Sequence, residues 1–182
     1  EEPPERCLFL VLSHAPGRLL PTIRSRCRRL GMDGLAPAEI IGGLEVLGVD
    51  ELPGRDDLAE LAMTADGSLR SAISLLSGDG LAIAKGLRRL ADNAAQLDLS
   101  AVHALADLVA ARGQNDNWLN FGHVLERLCH ERMRQDVQAG AQSAYRHVEL
   151  WEKANAAIRD ADALNLDRKQ VVLDFFFALR AA

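Results

Sequence analysis

The longest continuously apolar stretch of this chain is short: Cys7-Leu8-Phe9-Leu10-Val11-Leu12. A run of that length without alternation fits a strand buried on both faces of a parallel sheet. Such a strand needs neighbours, and residues 28–32 offer at most one short second strand. From Ala36 onward the pattern changes. Apolar residues recur every three to four positions and are punctuated by Gly48, Gly67 and Gly113, the signature of helices with glycine stops. Aromatics make up only 4% of the 182 residues, a balance that favours helix over sheet. The expected fold is mainly α, with a remnant of an α/β domain at its start.

The helical part opens with Pro37, suited to a first turn, followed by the stripe Ile40, Ile41, Leu44 and Leu47 and by Gly48 at the C′ position. A second helix is predicted over residues 55–65, with Leu58, Leu61, Ala62 and Ala65 inward and Gly67 as its stop. Ser68 can cap a third, with Ile73, Leu75 and Leu76 as its apolar positions. These three short helices form one small bundle.

Beyond Gly78-Asp79-Gly80 the helices lengthen. One is predicted over residues 81–91 with Lys85, Arg88 and Arg89 on the wet side, and Ser100 can cap the next, which carries Val102, Leu105, Leu108 and Val109. After a polar loop over 113–117, a helix over about 117–135 aligns Trp118, Phe121, Leu125, Leu128 and Arg132. It also carries His123, Glu126 and His130 at spacings compatible with metal ligation. At about 100° per residue, however, these three point opposite the apolar stripe, so a solvated face is expected and no metal site. Residues 136–143 read as a loop or frayed end, and Leu150, Trp151, Ala154, Ala157 and Ile158 mark another helix. The last begins with Asp167 as N-cap and Gln170 as a capping-box partner, with Leu166 and Val171 as a hydrophobic staple. Its face of Val172, Phe175, Phe176 and Leu179, widened by Leu173 and Phe177, calls for deep docking or a partner.

A net charge of −5 argues against a chain-wide nucleic-acid footprint, although Arg24, Arg26, Arg28 and Arg29 form a local basic cluster. Cys7, Cys27 and Cys129 are odd in number and far apart, which reads as reduced, partly buried thiols of a cytosolic protein. No apolar run approaches the length of a membrane span and no signal-peptide pattern occurs. No GxxxxGK[ST] phosphate-binding loop occurs either, so no ATPase activity is expected of this chain alone. Glu1 is no natural start, and the sequence reads as the C-terminal part of a longer chain.

The densest chemistry lies in Leu19-Leu20-Pro21-Thr22-Ile23-Arg24-Ser25-Arg26-Cys27. A guanidinium set among apolar residues suits a planar anionic partner, phosphate or carboxylate. Together with the opening Glu1-Glu2-Pro3-Pro4, the run 7–12, Ser13 and Pro16, this string closely resembles the clamp-loader branch of the AAA+ ATPases. Ser25-Arg26-Cys27 resembles that family's SRC motif. The resemblance implies that Arg26 reaches into the ATP site of a neighbouring subunit, and that Ser13 occupies the sensor-1 position. Arg70, in Gly67-Ser68-Leu69-Arg70, matches the sensor-2 position; a solvated first-turn arginine is the alternative, and both stay open. Residues 1–33 would then be the end of the AAA+ core, 34–78 its helical lid, and 79–182 a collar domain for oligomerisation. The Leu-Leu-Pro-Thr-Ile-Arg string is most similar to delta-prime-type subunits of bacterial DNA polymerase III. That resemblance implies gamma/tau and delta subunits as partners, and the sliding clamp and primer–template DNA through the complex. It also implies a cytoplasmic location, with ATP and magnesium held by the neighbour and no cofactor here. The alternative is an ATP-hydrolysing gamma/tau-type motor subunit lacking its nucleotide-binding part.

Overall fold

A computed structural model describes residues 6–13, 15–49, 52–138 and 144–181, without the side chains of 144 and 145. The protein is mainly helical, as its apolar periodicity requires. It divides into two compact units, Glu1–Asp33 and Gly34–Ala182.

In the first unit a 3-10 turn, Pro16–Arg18, precedes the short helix α1, Pro21–Arg26. The described residues contain no strand, so neither the run 7–12 nor residues 28–32 form one. The reason is physical: a strand exists by pairing, and the described residues supply no second strand to pair with. Leu8, Leu10 and Leu12 are almost fully exposed in consequence.

The second unit holds two hydrophobic cores. The first is built by α2 (Pro37–Val46), α3 (Arg55–Thr64) and α4 (Leu69–Leu76), around Ile40, Leu44, Leu61 and Ala72. Helix α2 starts at Pro37, and the Glu39 carboxylate accepts the Ala36 amide at 2.7 Å, satisfying one donor of the first turn. It ends where Gly48 turns left-handed at φ +64°. Leu47, predicted inward, lies on that C-cap and is exposed, because the helix stops before the stripe returns to it. Helix α3 ends through Asp66 and Gly67, both with positive φ. Gly67 lies so close to the chain opposite that a Cβ would stand 2.6 Å from the Gly34 Cα. Ser68 caps α4 as predicted, its hydroxyl accepting the Ser71 amide at 3.2 Å. Ile73 is exposed instead of buried, and Ala72 takes the inward position.

The second core joins α5 (Gly80–Asp92), α6 (Leu99–Val109), α7 (Asn115–Gln138), α8 (Ala144–Leu164) and α9 (Arg168–Ala181). Helix α7 packs on α5 and α8, and α9 closes the bundle against α6 and α8. The cap of α6 is Asp98, not Ser100: its carboxylate accepts the amides of Ser100 and Ala101. Aspartate wins because it lies just outside the helix, where a side-chain acceptor reaches the free first-turn donors. Helix α7 is longer at both ends than predicted, taking in residues 115–117 of the expected loop. It also takes in residues 136–138 of the expected frayed segment, whose residues 139–143 lie outside the described residues. Asp167 does cap α9 through the Lys169 amide, but Gln170 bonds Asp174 instead of turning back, so the capping box is half made. Val172, Phe175, Phe176 and Leu179 are buried as expected, whereas Phe177 is 47% exposed and Leu166 is also exposed. Cys129 is buried, but Cys7 and Cys27 are exposed, against the expectation of partly buried thiols.

Candidate functional site

The site begins with how a six-residue helix holds together. Isolated helices of that length are unstable in water, so α1 depends on local devices. Pro21 fixes the first turn without leaving an orphan amide. The Leu20 carbonyl accepts the amides of both Ile23 and Arg24, at 3.0 and 3.1 Å. Ser25 turns its hydroxyl back onto the Thr22 carbonyl at 3.1 Å, so the serine braces the turn. Cys27 then goes extended while its amide still donates to the Ile23 carbonyl, and this ends the helix.

Arg24 and Arg26 fall in the last turn, where a cation suits the negative end of the helix dipole. Two residues apart on a helix means about 200° of rotation, so they leave α1 from opposite sides. Every residue from Pro21 to Arg29 is exposed. Arginine 26 is therefore presented at a helix end on the surface of its unit, next to the exposed thiol of Cys27. Ser13 is exposed too, and its hydroxyl accepts the Ala15 amide at 3.3 Å, a local turn contact.

Arg70 belongs to the other unit. It lies in the first turn of α4, exposed, without an ion-pair partner among the described residues. His123, Glu126 and His130 are exposed on α7, and the His130 ring leans on Trp151 with centroids 5.6 Å apart. Among the described residues no group of three or more His, Cys, Asp or Glu side chains is placed to hold a metal ion.

Two residues with a structural part to play were missed from the sequence. Asn117 and Asn120, the former placed in a loop, are completely buried on α7. Asn117 pairs with Asp79 and the Leu108 carbonyl, and Asn120 with Ser74 and Ser77. For Asn117 the helical angle was the available signal, since it falls on the face of Phe121 and Leu128; Asn120 lies roughly 80–100° away from them.

A family model described as DNA polymerase III, delta subunit, matches residues 1–36, which contain Ser13 and all of α1. The chain is 34% identical over 95 residues to DNA polymerase III subunit tau of Bacillus subtilis, covering 48% of this chain and 17% of that protein. It is 37% identical over 95 residues to DNA polymerase III subunit tau/gamma of Haemophilus influenzae, covering 51% of this chain and 13% of that one. These similarities support a member of the DNA polymerase III clamp-loader family. The chain spans less than a fifth of the length of either relative. No solved structure matches. No helix among the described residues is long and apolar enough to cross a membrane.

Proposed function

We propose that this chain is part of a clamp-loader subunit of the delta-prime type, which assembles with gamma/tau and delta subunits and activates a neighbour's ATP site through Arg26. The observation that carries the reading is the presentation of Arg26 at the exposed end of α1, inside the segment that matches the delta-subunit family. Phosphoryl transfer offers a protein little covalent chemistry to do; catalysis is positioning plus stabilisation of charge spread over the transferred group. A guanidinium is always charged and presents a planar fork of donors to those oxygens. Ser25 and Cys27 shape the turn that delivers it, and Ser13 stands at the sensor position of the same unit. ATP and magnesium belong to the neighbour in this scheme. Residues 1–33 act as the end of the AAA+ core, 34–78 as the lid and 79–182 as the collar. The work is done in the bacterial cytoplasm, on the sliding clamp and primer–template DNA, through the assembled complex.

A second reading, a gamma/tau-type motor subunit, is favoured by the names of the two curated relatives and by the exposed Arg70. The two differ in where Arg26 and Arg70 act. In the complex reconstituted with the native protein, Arg26→Ala should leave assembly intact while lowering ATPase and clamp loading. Arg70→Ala should change neither. Loss of nucleotide binding by this subunit itself on Arg70→Ala, measured by calorimetry, would favour the motor.

A further inference from the structure

Between α4 and α5 the chain passes from the first core to the second through Ser77-Gly78-Asp79. Gly78 and Gly80 flank Asp79 there, and glycines lend a turn conformational freedom. The geometry points to the opposite: a clasp formed by Asn117 and Asn120 of α7 holds this turn rigid and fixes the angle between the two helical bundles. The inference concerns the helical unit alone and does not depend on the function proposed above.

Asn117 is 0% exposed and Asn120 1%. A buried amide is costly unless its donors and acceptor are matched, and here they are matched by the turn. The Asn117 carbonyl oxygen accepts the Asp79 amide at 2.9 Å, and its NH2 group donates to the Asp79 carboxylate at 3.0 Å and to the Leu108 carbonyl at 2.9 Å. Asn120 donates to the carbonyls of Ser74 and Ser77 at 2.9 and 3.2 Å, and accepts the Ser74 hydroxyl at 2.7 Å. One helix of the second bundle thus grips the last turn of the first. Asp79 gives up capping of α5 to do so: it occupies the N-cap, yet its side chain makes no cap hydrogen bond.

The glycines serve the grip and not mobility. A Cβ on Gly78, at φ +58°, would stand 2.5 Å from the Asn117 side-chain oxygen, and one on Gly80 would stand 2.6 Å from the Asn120 nitrogen. Glycine is there so that α7 can reach the backbone. Val124 packs against both cores, one turn further along the same helix, so the grip continues into apolar contact.

The test is a distance measured between the bundles in the whole chain. Spin labels at Glu45→Cys on α2 and Arg159→Cys on α8, with the exposed thiols removed by Cys7→Ser and Cys27→Ser, should give a single narrow distance distribution. Asn120→Ala should broaden it, and should speed hydrogen exchange at Gly80 and its neighbours by roughly 5- to 150-fold, the effect expected when a buried hydrogen-bonding partner is left unsatisfied. Should Asn120→Ala fail to fold, Asp79→Ala removes a clasp partner from the exposed side and should broaden the distribution less, with Asp79-region exchange still faster. A residue that only stabilised the fold would lower the melting temperature without widening the distance. A broad distribution in the parent, or an unchanged narrow one in the folded variants, overturns the clasp.

Discussion

Phe176 and Phe177 are neighbours in sequence and opposites in environment, so replacing each by alanine isolates what the final helix does. Phe176 is 0% exposed and sits in the second core, edge-on to Phe175 with ring centroids 5.2 Å apart; Phe177 is 47% exposed. A buried phenylalanine removes about 150–250 Å² from water, which at about 25 cal/mol per Å² is worth roughly 4–6 kcal/mol as an upper bound. Truncation to alanine costs about 3–5 kcal/mol where a cavity remains. Phe177 is only about half buried and leaves no closed cavity, so about half of the roughly 1.5–3 kcal/mol that full burial of such a side chain contributes is at stake, or about 0.8–1.5 kcal/mol. With a urea slope near ~2 kcal/mol per molar, Phe176→Ala should lower the unfolding midpoint by about 2 M and Phe177→Ala by less than ~1 M. Circular dichroism at 222 nm across a urea series reads both. Equal shifts would refute the burial argument and with it the packing of α9 into the bundle.

Gly67→Ala should destabilise by at least ~1–2 kcal/mol, because it strains a left-handed residue and drives a Cβ into the backbone of Gly34 and Leu35; thermal melting checks it. Burial pushes the Cys129 thiol up to about 11 from an ordinary 9.0. A thiol-reactive dye at pH 8 should therefore label Cys7 and Cys27 fast and Cys129 only on unfolding. The same shift fixes a sign: between about pH 9 and 11 the unfolded chain loses this proton while the folded one keeps it, so stability is full below pH 9 and falls as pH rises through that window. Denaturant midpoints for the parent and Cys129→Ala, measured from pH 8 to 11, should converge as pH rises.

The helices were legible because their signals are local and repeated. Pro37, Gly48, Gly67 and Ser68 each act at the spot the sequence marks, and the apolar stripes of α6, α7 and α9 locate the core. What failed depended on where a helix stops or on a partner far along the chain. Leu47 and Ile73 fall off the buried face by a fraction of a turn. Asp98 outcompetes Ser100 by standing two residues earlier. Asn117 and Asn120 find their partners in α4 and the turn after it 38 to 46 residues away, and no window on the sequence reveals that. For the candidate site, the motif around Arg26 is readable as a string, and its exposure follows from the short, unsupported helix that carries it. The run 7–12 shows the limit from the other side: its apolar pattern is that of a strand, but pairing cannot be read from one strand alone.

The central claim is that Arg26 acts on a neighbour's ATP, and single-turnover hydrolysis at that neighbouring site tests it most directly. The native protein is compared with Arg26→Ala, Arg26→Lys and Arg24→Ala in otherwise identical reconstituted complexes. An arginine supplied in trans is worth about 10³–10⁵ in rate, or roughly 4–7 kcal/mol at 1.36 kcal/mol per decade. Arg26→Ala should slow the neighbour by that order, Lys should rescue poorly for want of the planar fork, and Arg24→Ala, leaving α1 from the other side, should be near native. A native rate in Arg26→Ala beside a crippled Arg24→Ala would contradict the account.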